Sequence, residues 1–253
     1  GDNNIIMGYQ AGTNINEGNQ NIILGYRAAD AASVSNQIAI GYEALGAVNT
    51  ATQNVAIGNY ALNKVTSHGT DNVAIGNNAG YYATGSNNVF VGAKAGRGTQ
   101  NTSAPYSYGE NNVAIGSGAL EYADRTDDSV VIGHQAARLQ MMLQQAVVIG
   151  KQALWQSTSG QQLGTIAIGY KALYGSVGAT EYSVVIGYKA AEAQYNSSLD
   201  SVIIGGFAGQ NATSSYQNVM IGTYAGQNTG RSTDSNHDVF VGHSAGQYAT
   251  GSY

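Results

Sequence analysis

The chain offers few side chains whose type and spacing could carry out chemistry. Its four histidines, His68, His134, His237 and His243, lie far apart or in turns, and there is no cysteine. His134 and His243 each follow a recurring glycine, at a position that elsewhere holds Tyr, Asn or Lys. This tolerance of residue type favours surface or core-edge histidines over catalytic ones. The absence of cysteine excludes disulfides and thiolate chemistry.

The densest acidic group consists of Glu121, Asp124, Asp127 and Asp128. Carboxylates at this spacing could bind a cation or supply one half of a glycosidase pair. The G-G-x-G-x-D repeat of calcium-binding solenoids is absent, and the surrounding residues favour a solvated turn. We therefore predict no enzyme activity, no catalytic residue, no metal site and no cofactor.

Composition excludes several classes of protein. Of 253 residues, 35 are glycine and 10% are charged, with a net charge of −5 and no basic block, so nucleic acid is not an expected partner. An apolar fraction of 43% argues against disorder. No apolar run approaches the roughly 20 residues of a membrane helix, so we predict no membrane insertion by this segment.

One short phrase, of the form N-V-A-I-G-x-x-A-G, repeats along almost the whole chain. We anchor each copy on the glycine of its I-G pair. The steps between anchors run from 16 to 24 residues, and a period of this size is typical of a solenoid. The fourteen anchors are Gly8, Gly25, Gly41, Gly58, Gly76, Gly92, Gly116, Gly133, Gly150, Gly169, Gly187, Gly205, Gly222 and Gly242.

Positions counted from the anchor predict the local structure. Val or Ile fills position −3, an apolar residue fills −1, and alanine fills +3. β-branched residues favour strands, and side chains two apart share one face of a strand. We therefore expect an all-β fold, a parallel β-solenoid of about fourteen coils, with −3, −1 and +3 facing its interior. Residues 1–253 form a single repeat domain in this interpretation, and the uncapped first and last repeats predict a piece of a longer fibre protein.

Position −2 is also apolar in every repeat, although it should point away from −3 and −1. A strand that is buried on both faces needs a cover for its second face. Copies of the same chain are the simplest cover, so the −2 row is predicted to form the interface of a homotrimer. The residues assigned to this interface are Ala56, Ala74, Phe90, Ala114, Val131, Val148, Ile203, Met220 and Phe240.

Binding residues are expected where the repeat is irregular, because loops on a rigid scaffold commonly carry function. Exposed aromatic rings stack on sugar faces, and arginine binds hydroxyl groups, so cell-surface glycan is the expected ligand class. The alternative is that these rings only cover the edges of the coils. The candidate residues are Tyr81, Tyr82, Arg97, Tyr106, Tyr108 and Trp155.

The phrases NVAIGNNA (Asn72 to Ala79), NVAIGSGA (Asn112 to Ala119) and SVVIGYKA (Ser183 to Ala190) resemble the head repeats of trimeric autotransporter adhesins. They are also similar to repeat arrays of bacteriophage tail fibres. The resemblance implies a left-handed parallel β-roll, a homotrimer with the −2 row at its threefold contact, and an extracellular location on a bacterial cell surface or a virion tail fibre. The longer repeat of this chain favours the tail-fibre branch.

The resemblance implies a non-enzymatic adhesin or receptor-binding fibre segment that acts as a rigid spacer. A purely structural shaft, with binding elsewhere in the parent chain, is one alternative. A second alternative is a left-handed β-helix acyltransferase, since Ile75 to Ala79 fits a hexapeptide pattern. Only one hexapeptide in three fits that pattern, and no histidine occupies an obvious cleft loop.

Overall fold

The computed structural model describes residues 1–30, 35–47, 51–65, 69–99, 109–140, 142–156, 161–175, 179–193, 198–212, 215–229 and 237–249. Across these residues the chain is all-β, a parallel β-solenoid, and contains no helix. The described residues therefore include no helix that is long and apolar enough to cross a membrane. The predicted fold class is confirmed at this level.

The chain divides into two compact units, Gly1–Asp127 and Asp128–Tyr253. In unit 1, seven three-residue strands pair in parallel and in chain order. They are β1 (Ile5–Met7), β2 (Ile22–Leu24), β3 (Ile38–Ile40), β4 (Val55–Ile57), β5 (Val73–Ile75), β6 (Val89–Val91) and β7 (Val113–Ile115). A further strand, β8, covers Arg125–Asp127.

Unit 2 contains a similar parallel sheet and a second, smaller one. The main sheet contains β9 (Val130–Ile132), β11 (Val147–Ile149), β13 (Ile166–Ile168), β15 (Val184–Ile186), β17 (Val202–Ile204), β19 (Val219–Ile221) and β20 (Val239–Val241). The smaller sheet contains β10 (Met142–Gln144), β12 (Gln161–Leu163), β14 (Thr180–Glu181), β16 (Ser198–Leu199) and β18 (Ser215–Tyr216).

The strands pair in register, so each position of the repeat forms a column through its unit. Val73 pairs with Val89, and Ala74 pairs with Phe90. Backbone hydrogen bonds continue the pairing past both ends of the strand: Val73 N donates to Asn88 O at 2.8 Å, and Gly76 N donates to Ile57 O at 2.8 Å. What is buried or exposed in one coil therefore recurs in the next.

The anchor glycine ends each strand. Gly76 has a φ of 139°, in the region that L residues avoid. A Cβ on Gly76 would lie 2.6 Å from the carbonyl carbon of Gly92, the anchor of the following coil. The conformation and the close approach of consecutive coils both exclude a side chain, which explains why glycine recurs at this position.

A ladder of buried polar side chains precedes the strands. The Oδ1 atom of Asn72 accepts a hydrogen bond from the backbone N–H of Asn88 at 2.9 Å, and Oδ1 of Asn88 accepts one from Asn112 N–H at 2.9 Å. The Asn72 amide nitrogen donates to Gly85 O at 2.9 Å. Because each amide satisfies backbone groups of neighbouring turns, burying it is not costly. The asparagines that recur just before the strands therefore form a ladder through the unit.

The structure corrects the assignment of the two strand faces. Ala56, Ala74 and Val148 at position −2 are fully buried within the single chain, and Phe90 is 5% exposed. In the same strands, the residues at −3 and −1 are half-buried or exposed. The −2 row therefore fills the coil interior, together with alanine at +3, and the −3 and −1 columns face outward.

All nine residues assigned to the predicted trimer interface lie in this inward row. Eight of them are buried by their own chain, and Phe240, in the last described strand, is half-buried. The prediction is wrong because it assumes that side chains keep alternating between the two faces through the anchor glycine, so that −3, −1 and +3 share one face. The left-handed bend there resets the parity, so +3 lies on the same side as −2 instead of −3 and −1. The residues are Ala56, Ala74, Phe90, Ala114, Val131, Val148, Ile203, Met220 and Phe240.

A second residue, at position +4, explains why the size of the −2 side chain varies. Where −2 is Ala56, +4 is Leu62, and both are fully buried. Where −2 is Phe90, +4 is Gly96, and a Cβ there would overlap the Phe90 ring. A large residue at one position accompanies a smaller one at the other in twelve of the fourteen repeats, as close packing of a narrow interior favours. The two exceptions are Ala74 with Gly80 and Val148 with Leu154.

Candidate functional site

Three of the predicted binding residues lie together in unit 1. The rings of Tyr81 and Tyr82 are 4.5 Å apart at an interplanar angle of 74°. The backbone N–H of Tyr82 donates to the Arg97 carbonyl oxygen at 2.8 Å, which places Arg97 on the adjacent turn. The Arg97 guanidinium carbon lies 5.8 Å from the centre of the Tyr122 ring. We call Tyr81, Tyr82, Arg97 and Tyr122 the Arg97 cluster.

The members of the Arg97 cluster pack against one another. All four are half-buried, and burial raises the pKa of the Tyr81 phenol, with the neighbouring Tyr82 adding to this effect. Arg97 forms a cation–π contact, which contributes about 0.5–1 kcal/mol at exposed sites. Rings that contact each other at their edges and faces leave less face area for stacking on a sugar.

A small cavity lies beside the Arg97 cluster. Its volume is about 30 Å³, and its lining includes Phe90, Gly96, Leu120 and Thr126. This volume accommodates one or two water molecules. Ligand pockets are usually about 300–1,000 Å³, so this cavity does not take up a sugar ring or an acyl-CoA.

Trp155 belongs to unit 2. Its ring stacks on Tyr174 at 5.1 Å with an interplanar angle of 11°. The Lys171 ammonium lies 4.5 Å from the centre of the Tyr174 ring and 3.7 Å from a Glu192 carboxylate oxygen. Trp155 thus covers its neighbouring turn, as the coil-edge alternative predicts. The remaining predicted residues, Tyr106 and Tyr108, lie outside the described residues.

The acidic residues singled out by the sequence are dispersed among separate partners. Glu121 is buried and lies 3.6 Å from the Lys94 ammonium. Asp124 accepts a hydrogen bond from the Thr99 hydroxyl, and Asp127 accepts one from Glu110 N–H at 3.2 Å. Among the described residues, no group of three or more His, Asp or Glu side chains could hold a metal ion.

The described histidines are exposed. His134 and His237 lie at the surface, and Nδ1 of His243 contacts the Ser244 hydroxyl at 3.1 Å. The His243 ring also meets Tyr224 edge-on at 5.9 Å. These contacts are those of surface side chains, as expected from the tolerant position in the repeat. His68 lies outside the described residues.

Stacked aromatic residues line the outside of both units. In unit 1, the rings of Tyr9, Tyr26 and Tyr42 stack at 5.3 Å and 5.2 Å between centres, and Tyr60 meets Tyr42 at 5.1 Å. We call these four residues the tyrosine stack. The recurrence of tyrosine just after the anchor glycine could have revealed it from the sequence.

The most extensive feature without a partner is the outer face of the main sheets. Positions −3 and −1 hold only apolar residues in all fourteen repeats, and the described side chains are half-buried or exposed. Ile75 and Ile115, for example, are 39% and 38% exposed. We call these two columns the outer apolar face. Solvated sheets normally place polar residues outward, so this face has the character of an interface.

The fold and these surfaces define the class of protein: a parallel β-solenoid with an apolar outer sheet face. Comparison with protein-family profiles, with curated proteins and with solved structures finds no match for this chain.

Proposed function

We propose that the chain is a non-enzymatic fibre segment that assembles as a homotrimer through its outer apolar face and acts as a rigid spacer. The observation that supports this proposal is the uninterrupted apolar character of positions −3 and −1. Each repeat would contribute one coil, giving fourteen coils with the left-handed winding that the sequence resemblance implies.

The size of the outer apolar face supports association. Seven strands spaced about 4.8 Å apart span about 30 Å in each unit, and two residues along a strand add about 7 Å. The footprint is on the order of 200 Å² per unit, or 400 Å² per chain, which is in the range where exposed apolar patches mark interaction sites. A stable interface needs about 800 Å² per partner, so flanking columns would also contribute.

Identical copies are the partners that fit this face best. The outward β-branched side chains recur at the spacing of the coils. A second copy of the chain presents the same side chains at the same spacing, so the two columns can pack together along their length. Few charges interrupt the chain, since only 10% of its residues are charged. A threefold arrangement would cover each face by two neighbours and leave the turns exposed. We place such a fibre outside the cell, on a bacterial surface or a virion tail.

Two variants test the proposed interface. Ile149→Lys puts a charge into the outer apolar face of unit 2, where Ile149 points away from the interior. His134→Lys adds the same charge at an exposed turn of that unit. We expect Ile149→Lys to sediment as a folded monomer and His134→Lys to keep the oligomeric mass of the unaltered chain. An Ile149→Lys protein with unchanged oligomeric mass would contradict the proposal.

Attachment to a glycan is a proposal separate from assembly. The Arg97 cluster and Trp155 are the described side chains that would carry it. The members of the Arg97 cluster pack against one another, and Trp155 packs on Tyr174. This packing supports the alternative, a structural shaft with binding elsewhere in the parent chain. A glycan array with the assembled chain distinguishes the two: binding that is lost in Arg97→Ala supports attachment, and no binding supports the shaft. Calorimetry with acetyl-CoA tests the acyltransferase alternative.

A further inference from the structure

We propose that the tyrosine stack is a site of oxidative coupling, at which a one-electron oxidant joins Tyr26 and Tyr42 through a dityrosine bond between consecutive coils. This modification is independent of the proposed fibre function. It requires two phenol rings held close together, access for the oxidant and an acceptor for the phenol protons.

The geometry of the stack brings the reacting rings together. The Tyr26 and Tyr42 ring planes are inclined by 3°, with centres 5.2 Å apart. The parallel rings thus face each other on consecutive coils, and their carbons ortho to the phenol oxygen are where the unpaired electron of a tyrosyl radical concentrates. Tyr9 on one side, 5.3 Å from Tyr26 and inclined by 19°, extends the same arrangement.

The backbone fixes this pair in place. Both tyrosines follow anchor glycines, Gly25 and Gly41, whose φ values of 139° and 135° orient the two turns identically. Gly41 N–H donates to Leu24 O at 2.8 Å, and Glu43 N–H donates to Tyr26 O at 3.0 Å. Hydrogen bonds thus hold the coils together on both sides of the ring pair, so the radicals cannot separate before they couple.

The rings are accessible, and proton acceptors lie beside them. Tyr26 is 43% exposed and Tyr42 is 38% exposed, so an oxidant can reach both. A hydrogen bond with Tyr60, followed by desolvation and the charge of Glu43, raises the pKa of Tyr42 to about 12. The neutral phenol is therefore the species that is oxidised, and the Glu43 carboxylate is positioned to take up its proton.

Hydrogen peroxide with a haem peroxidase supplies the oxidising equivalents. Each phenol loses one electron and its O–H proton, and two phenoxyl radicals form. A carbon–carbon bond then joins the ortho positions, and the two ortho hydrogens move as protons to the oxygens and restore the phenols. The two electrons and two protons reduce one peroxide to two waters, so the chain loses two hydrogen atoms.

Unit 2 contains a shorter version of the same arrangement. Tyr170 and Tyr188 stack at 5.3 Å with an interplanar angle of 21°. The next ring, Phe207, meets Tyr188 at 5.3 Å but has no phenol oxygen. Coupling in unit 2 should therefore stop at one bond, between Tyr170 and Tyr188.

The test is peroxidase treatment of the full chain, followed by digestion and mass mapping of dityrosine. We expect a Tyr26–Tyr42 link that is absent in Tyr26→Phe, which keeps the ring and loses the phenol. Tyr182→Phe is the matched control, because Tyr182 is 59% exposed and makes no ring contact with another described residue. That control should leave the yield of the Tyr26–Tyr42 link unchanged.

Two results would overturn the proposal. One is a set of links that favours Tyr182 or Tyr248 over the stacked pairs. The other is a Tyr26–Tyr42 link that joins separate molecules, which digestion of a mixture of isotope-labelled and unlabelled chains would reveal as hybrid peptides. Circular dichroism before treatment checks that Tyr26→Phe is folded, and Tyr42→Phe provides a second variant with the same expected loss.

Discussion

At the scale of single residues, the repeat is maintained by glycines that no other residue can replace. Gly205 has a φ of 138°, and a Cβ on it would lie 2.5 Å from the Gly222 carbonyl oxygen. A Cβ on the adjacent Gly206 would meet no heavy atom within 4 Å, and the φ of Gly206 lies outside the left-handed region. A comparison of substitutions at Gly205 and Gly206 therefore distinguishes the anchor glycine from an ordinary turn glycine.

Gly205→Ala should destabilise the chain by at least about 2 kcal/mol, because it combines a strained φ with a backbone overlap. Gly206→Ala should be neutral or stabilise by up to about 1 kcal/mol, since it restricts the unfolded chain without strain. Urea unfolding of both variants measures the difference. Equal free energies of unfolding for the two variants would show that the anchor does not require glycine.

The tyrosine stack predicts a dependence of stability on pH. The pKa of Tyr42 is raised to about 12 from the ordinary value of 10.0. Since the folded state favours the neutral phenol, the stabilisation is complete below the unfolded pKa and is lost as pH rises through the folded pKa. Thermal unfolding should show this loss between about pH 10 and 12, and Tyr42→Phe should reduce it. A loss of the same size in Tyr42→Phe would contradict the assignment.

At the scale of the coil, the sequence predicts the elements and misplaces their faces. Short strands, in-register columns and the asparagine ladder follow from residues such as Val73, Asn72 and Gly76. The inward and outward faces were assigned wrongly because each strand has only three residues and all of them are apolar. An alternation of polar and apolar residues, which would mark the outward face, is therefore absent. The opposite sizes of positions −2 and +4, as in Ala56 with Leu62, were the available signal for the interior.

Exchanging the sizes of one such pair tests this account of the interior. Ala39→Ile overfills the core, at a cost of about 1–3 kcal/mol, and Leu45→Ala leaves a cavity, at about 2–5 kcal/mol. The double variant reproduces the Ile23 and Ala29 pair of the preceding coil, in which both side chains are buried. We expect it to be less destabilised than the sum of the single variants, as a double-mutant cycle would measure.

Additive effects in that cycle would mean that positions −2 and +4 do not share one space. Ala47→Ile, at a half-buried turn position in the same coil, provides the control for adding a branched side chain outside the interior. Combined with Leu45→Ala, it should show no favourable coupling.

At the scale of the whole molecule, the outer apolar face carries the functional account. Its composition could be read from the sequence, and so could the inference that a second apolar face needs a cover. The residues that form this face could not be identified from the sequence, because the direction of each side chain depends on the bend at the anchor glycine. The sequence named Tyr81, Tyr82 and Arg97 as candidate binding residues, but it did not predict that they lie together or that Arg97 packs against Tyr122. Both depend on contacts between turns that spacing alone does not specify.

The mass of the unaltered chain in solution tests the central claim most directly. Sedimentation equilibrium at micromolar concentration should give three times the chain mass of 26.1 kDa, because burial of the outer apolar face stabilises the assembly. A folded species at the mass of a single chain would contradict the claim that this face is covered by copies of the same protein.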